Sequence, residues 1–153
     1  MIEFMKEDNI LTIKEIEKFI EENDVHHVFD TRFHWHHNFV RHWEKLIAAN
    51  QVVTFRNSDN NRLMGLCSYC LVKDENKKEI NKSRWTLPDD ISNGDIFYFD
   101  VCLLKTGASM FKIKQYLSDK YKSSVKKVFW FNSPSGRVVR INFKGGVTCQ
   151  TAA

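Results

Sequence analysis

The chain is short of residues that punctuate regular structure, with two prolines and six glycines in 153 residues. That excludes collagen-like and low-complexity compositions. No apolar run is long enough to span a bilayer, so no membrane span is expected. The first nine residues carry Glu3, Lys6, Glu7 and Asp8, a charge pattern unlike a signal peptide, and the expected compartment is cytoplasmic. There are only four cysteines, Cys67, Cys70, Cys102 and Cys149, and three of them lie in apolar, strand-like segments. Reduced, buried thiols are expected rather than a disulfide framework. Acidic residues nearly vanish from the last third: residues 105–153 hold ten Lys/Arg and one acid, Asp119. A surface so unbalanced attracts anions, whether cofactor phosphates, an acidic carrier protein or nucleic acid. The alternative is a solvated lysine-rich helix face.

What remains is ordinary globular material, 42% hydrophobic and 27% charged, enough for one domain over residues 1–153. Thr12 and Glu15 have capping-box spacing ahead of Ile13, Ile16, Phe19 and Ile20, which predicts a helix over residues 13–22. Phe39, Val40, Trp43, Leu46 and Ile47 fall on one face of a second helix over 38–49. Strands are expected over 51–56, 63–72 and 96–104, with a charged loop over 73–82. A third helix over 109–121 places Met110, Ile113, Leu117 and Tyr121 inward, and a hairpin of strands 125–131 and 138–143 follows. The tail after Gly146 is expected to fray. The fold class is therefore α/β (α+β), with a mixed central sheet of about five to six strands, two helices before it and one crossover helix.

This order is similar to the GNAT superfamily of N-acetyltransferases, whose phosphate loop has the pattern Arg/Gln-x-x-Gly-x-Gly/Ala. The matching place here is Leu104-Lys105-Thr106-Gly107-Ala108-Ser109, which keeps one glycine. Within the superfamily the chain looks most like the RTX-toxin-activating lysine acyltransferases. The likeness rests on Ala48-Ala49-Asn50-Gln51, Ser92-Asn93-Gly94-Asp95, Asp100, Gly107 and Phe143-Lys144-Gly145-Gly146. It implies transfer of an acyl group from a thioester carrier, acyl-CoA or acyl carrier protein, to an amine such as a protein lysine. It also implies a catalytic His before the second helix, for which His34 is the first choice and His36 and His37 are alternatives, and a catalytic Asp at Asp100. Lys105, Thr106, Gly107, Ala108 and Ser109 would bind the phosphates, as glycine turns at helix N-termini do.

The residues have readings of their own. Asp100 interrupts Phe97, Tyr98, Phe99, Val101 and Cys102, apolar on both alternating faces, so its carboxylate is buried or cleft-facing and needs a partner. A structural role in a half-covered sheet is the competing reading. Cys67 and Cys70 point to opposite faces of one strand, which argues against zinc shared with the histidine cluster. Trp35, Trp43, Trp85 and Trp130 line an acyl pocket or fill the core. Lys112, Lys114, Arg137 and Arg140 are further candidates for phosphate contact. A non-catalytic module of the type carried by phages or mobile elements, binding nucleic acid or a host protein, is the rival to the acyltransferase.

Overall fold

The computed structural model describes residues 1–24, 36–80, 85–121, 127–132, 137–142 and 146–151, with side chains as far as Tyr121 other than those of His36 and Lys77. Strand β1 (Ile2–Met5) leads to helices α1 (Ile13–Asn23) and α2 (His36–Ala48). Strands β2 (Val52–Asn57), β3 (Leu63–Val72) and β4 (Ile96–Leu104) follow, then helix α3 (Met110–Tyr121). Strands β5 (Lys127–Asn132), β6 (Arg137–Asn142) and β7 (Gly146–Thr151) complete the sheet. It runs in chain order, with β1–β4 antiparallel, β5 parallel to β4, and β6 and β7 antiparallel. The mixed α+β class expected from the sequence is present, with two corrections. Among the described residues the sheet has seven strands instead of five to six, and the tail expected to fray supplies the seventh. Both added strands are at the rim. There β1 needs only β2 as a partner and β7 only β6, so short segments with little apolar patterning suffice.

The two faces of the sheet are covered differently. Ile16, Phe19 and Ile20 of α1 and Phe39, Trp43 and Leu46 of α2 pack with Leu66, Cys70, Val72, Ile96, Tyr98 and Val101 on one face. On the other face Ile113 and Leu117 of α3 meet Val53, Phe55, Cys67, Tyr69, Phe97 and Phe99. Tyr69 stacks on Phe97 at 4.7 Å, and its hydroxyl meets that of Tyr121 at 2.9 Å, which fixes the end of α3.

Local chemistry sets the ends of the helices. Thr12 Oγ1 accepts from the Glu15 N–H at 3.1 Å, as the capping-box spacing predicts. The Glu15 carboxylate goes elsewhere, to Arg56. Helix α2 stops at Asn50, whose φ of 55° is left-handed, with Gln51 N–H returning to Leu46 O and Asn50 N–H to Ile47 O. This pair of bonds is a Schellman closure. It aims the Gln51 amide inward, where it donates to Tyr69 O (2.8 Å) and Ile91 O (3.0 Å) and accepts from Ser92 Oγ (2.7 Å). The same segment brings Gly94 against β3. A Cβ at Gly94 would sit 1.9 Å from the carbonyl carbon of Val72. Gly94→Ala should therefore cost about 1–3 kcal/mol, the usual range for overpacking. Urea unfolding checks this: the midpoint should fall at unchanged slope, and an unchanged midpoint would contradict it.

Candidate functional site

The site begins with a defect in the β3–β4 ladder. Ser68 pairs with Val101 and Tyr69 with Phe99, so Asp100 is an extra residue in β4, a β-bulge. Asp100 and Val101 therefore share the face that carries α1 and α2, while Phe99 and Cys102 lie on the α3 face. Asp100 is buried, and its Oδ2 meets His42 Nε2 at 2.5 Å and accepts from Ser68 Oγ at 3.0 Å. The Ser68 hydroxyl is itself fixed by the Val101 N–H at 3.2 Å. Because an ionised carboxylate only accepts, Nε2–H of His42 donates, and Nδ1 is the ring nitrogen left for other chemistry.

His42 lies on the buried face of α2 with Phe39, Trp43 and Leu46, at the i, i+3, i+4, i+7 positions. Its ring meets the edges of Trp85 at 4.9 Å and Trp43 at 5.3 Å. Trp85 adopts φ 57°, a conformation costly for a bulky residue, and that places its indole over both His42 and Phe39. His42 Nδ1 has no hydrogen-bond partner among the described residues. A cleft of about 260 Å³ opens beside this ring, its lining including Arg41, His42, Lys45, Trp85, Leu87 and Asp89. Lys45 Nζ is held by Pro88 O at 2.6 Å.

The imidazole that meets Asp100 is thus His42, which the sequence reading did not name. Of the histidines it did name, His34 lies outside the described residues, His36 opens α2 and His37 is on its exposed side. The missed signal was positional: His42 is the one polar residue in the apolar stripe of α2. Asp100 is buried and paired, as its apolar neighbours require. Trp43 and Trp85 surround the dyad, whereas Trp35 and the side chain of Trp130 lie outside the described residues.

The loop of Lys105, Thr106, Gly107, Ala108 and Ser109 joins β4 to α3. Gly107 has φ 98°, and a Cβ there would meet Ile2 at 2.9 Å, so glycine is required both for conformation and for space. Ser109 caps α3, its Oγ accepting from Lys112 N–H at 3.4 Å. Two loop donors are committed inside the protein, Lys105 N–H to Met64 O (2.9 Å) and Ala108 N–H to Lys105 O (3.0 Å). The registered parallel pairing of β4 with β5 ends at Phe99↔Trp130, one residue before Asp100. Cys67 and Cys70 lie on opposite faces of β3, and among the described residues no group of three or more His, Cys, Asp or Glu side chains is arranged to hold a metal. Among the same residues no helix is long and apolar enough to cross a membrane.

A second groove, of about 650 Å³, lies between β1 and α3. Its lining includes Phe4, Lys6, Lys112, Tyr116 and Lys120, with Asp119 the one acid. The ammonium groups of Lys6 and Lys120 approach the Tyr116 ring to 5.3 and 5.7 Å. No family model matches the chain, and no curated protein matches it significantly.

Proposed function

We propose that the protein is a GNAT-like acyltransferase that passes an acyl group from a thioester carrier, acyl-CoA or acyl carrier protein, to an amine, with a protein lysine as the favoured acceptor. The observation that carries this reading is the buried His42–Asp100 pair, seated on a bulge of β4 where its registered pairing with β5 stops. Asp100 positions the ring through Nε2–H, and His42 Nδ1 takes a proton from the attacking amine. The C–N bond forms, the C–S bond breaks, and the proton is delivered to the departing sulfur. Phe39, Trp43 and Trp85 keep water from the pair and strengthen the ion pair that forms when His42 is protonated. The turn at Gly107 with Ser109 at the start of α3 fits carrier phosphates in part. Its glycine geometry suits them, two of its N–H groups are spent, and Lys112 in the first turn of α3 adds charge.

The test is release of free thiol from acyl-CoA and from acyl carrier protein in the presence of an amine acceptor. Asp100→Asn should slow it at least roughly tenfold, the low end of an acid–base contribution. The far-ultraviolet spectrum should be retained. A fully active, folded Asp100→Asn would end the proposal.

The basic groove around Tyr116 favours a second reading, a non-catalytic module that binds nucleic acid. Titrating a short duplex at two salt concentrations separates the two. Steep loss of affinity with salt, with no thiol release from either carrier, supports the module.

A further inference from the structure

The bulge at Asp100 has a second effect. It sets Cys102 directly opposite Cys67 across β3 and β4, whereas in an unbulged ladder Cys67 would face Val101. The backbone fixes the kind of rung this is. Lys105 N–H donates to Met64 O, so residues 64 and 105 form a hydrogen-bonded pair, and such pairs alternate along an antiparallel ladder. Counting along the register from there, Leu66↔Leu103 is hydrogen-bonded and Cys67↔Cys102 is not. Tyr69 agrees independently: its N–H turns away from β4 to Gln51 O, and Cys67, two residues earlier, turns its backbone the same way. Non-hydrogen-bonded pairs hold their Cα atoms about 4.5 Å apart, at the short end of the roughly 4.4–6.8 Å span that disulfides bridge.

The side chains agree with the backbone. Cys67 and Cys102 lie on the same face, and the Cys102 thiol also meets Met110 Sδ at 4.0 Å. Cys102 is partly exposed, while Cys67 is buried at 1%. Burial first, and the Cys102 thiol next, push the Cys67 thiol well up, so it is not the first to react. Cys70 is on the opposite face, and burial pushes its thiol up as well.

We propose that Cys67 and Cys102 are an oxidisable thiol pair that peroxide closes into a disulfide, tying β3 to β4 at the rung next to the one that holds Ser68 and Val101. Cys102 acts first: its sulfur takes one oxygen of hydrogen peroxide, giving a sulfenic acid and one water. The Cys67 sulfur then displaces the hydroxyl, which leaves as a second water. The S–S bond forms as two S–H bonds are lost, and two electrons pass from the thiols to the peroxide. Because Cys102 is partly exposed, reductant reaches the link, and exposed disulfides are readily reduced.

The experiment treats the native chain with hydrogen peroxide, blocks remaining thiols with an alkylating agent, and maps peptides without reduction. The expected product joins the peptides of Cys67 and Cys102, and dithiothreitol releases it without denaturant. Cys70→Ser should give the same product, and Cys102→Ser should leave Cys67 alkylated only after unfolding. Cys102 carried on to sulfinic acid with Cys67 still a thiol would overturn the proposal, as would a link from either residue to Cys149. The mapping on the unaltered chain decides the matter even if a variant fails to fold.

Discussion

His42→Leu should destabilise the protein by about 3 kcal/mol, the upper end of the cost of taking a hydrogen bond from a buried polar group, because the acceptor is a carboxylate. The variant takes the imidazole from Asp100, whose side chain has no solvent exposure, and leaves the Ser68 hydroxyl in place. Against a total stability of about 5–15 kcal/mol, that is a large share. The double variant His42→Leu/Asp100→Leu should recover most of the loss, because apolar replacement of both partners of a buried pair is often neutral or better. It should also lack thiol release entirely. This pattern separates folding from chemistry: stability returns and activity does not. If His42→Leu unfolds at the same urea concentration as the parent, the pair contributes no net stability and the tight contact has to be explained by function alone.

Arg56→Met should cost as much or more, about 3–5 kcal/mol, because it removes one partner from a buried charge pair. The guanidinium is 3% exposed and ties together three parts of the chain. Nε donates to Asp8 Oδ2 at 2.6 Å, Nη1 and Nη2 hold the Glu15 carboxylate at 2.9 and 2.6 Å, and Nη1 also reaches Asn61 O at 2.7 Å. Its hydrogen bond to Glu15 first, and that to Asp8, hold the guanidinium further up from its ordinary value against the opposing effect of burial, so it stays charged throughout. Without it, the 1%-exposed Asp8 side chain keeps two neutral donors, the Thr54 hydroxyl at 2.7 Å and the Ile10 N–H at 3.1 Å. Glu15→Gln should cost less than about 1 kcal/mol, because its side chain is a third exposed and surface pairs contribute little. Urea unfolding of the two variants checks the contrast. Equal losses would mean that the pairing with Glu15, not the buried Asp8, carries the energy.

These results bear on what the sequence could reveal. The apolar periods of α1, α2 and α3 were legible because each helix buries one stripe, and β3 and β4 were read to the residue as Leu63–Val72 and Ile96–Leu104. Asp100 was legible as a group needing a partner, since its neighbours are apolar on both sides. Its partner was not. The histidines before α2 drew attention by their number, while His42 stood alone inside an apolar stripe where a single polar residue carries little pattern. Strand β1 gave no signal of its own, because a four-residue edge strand owes its conformation to the β2 edge beside it.

The sequence by itself determined the helices, the central strands, the basic last third and the glycine turn at Gly107. All of these depend on local conformational preference, on charge, or on a repeat of 3.6 or 2 residues that one short window contains. Only the tertiary structure decided that His42 meets Asp100 across 58 positions of chain. It alone decided that Arg56 gathers Asp8 and Glu15, and that Cys102 faces Cys67. The last depends on one extra residue in a ladder. A bulge is a balance between two strands over which backbone groups pair, and neither strand carries it alone.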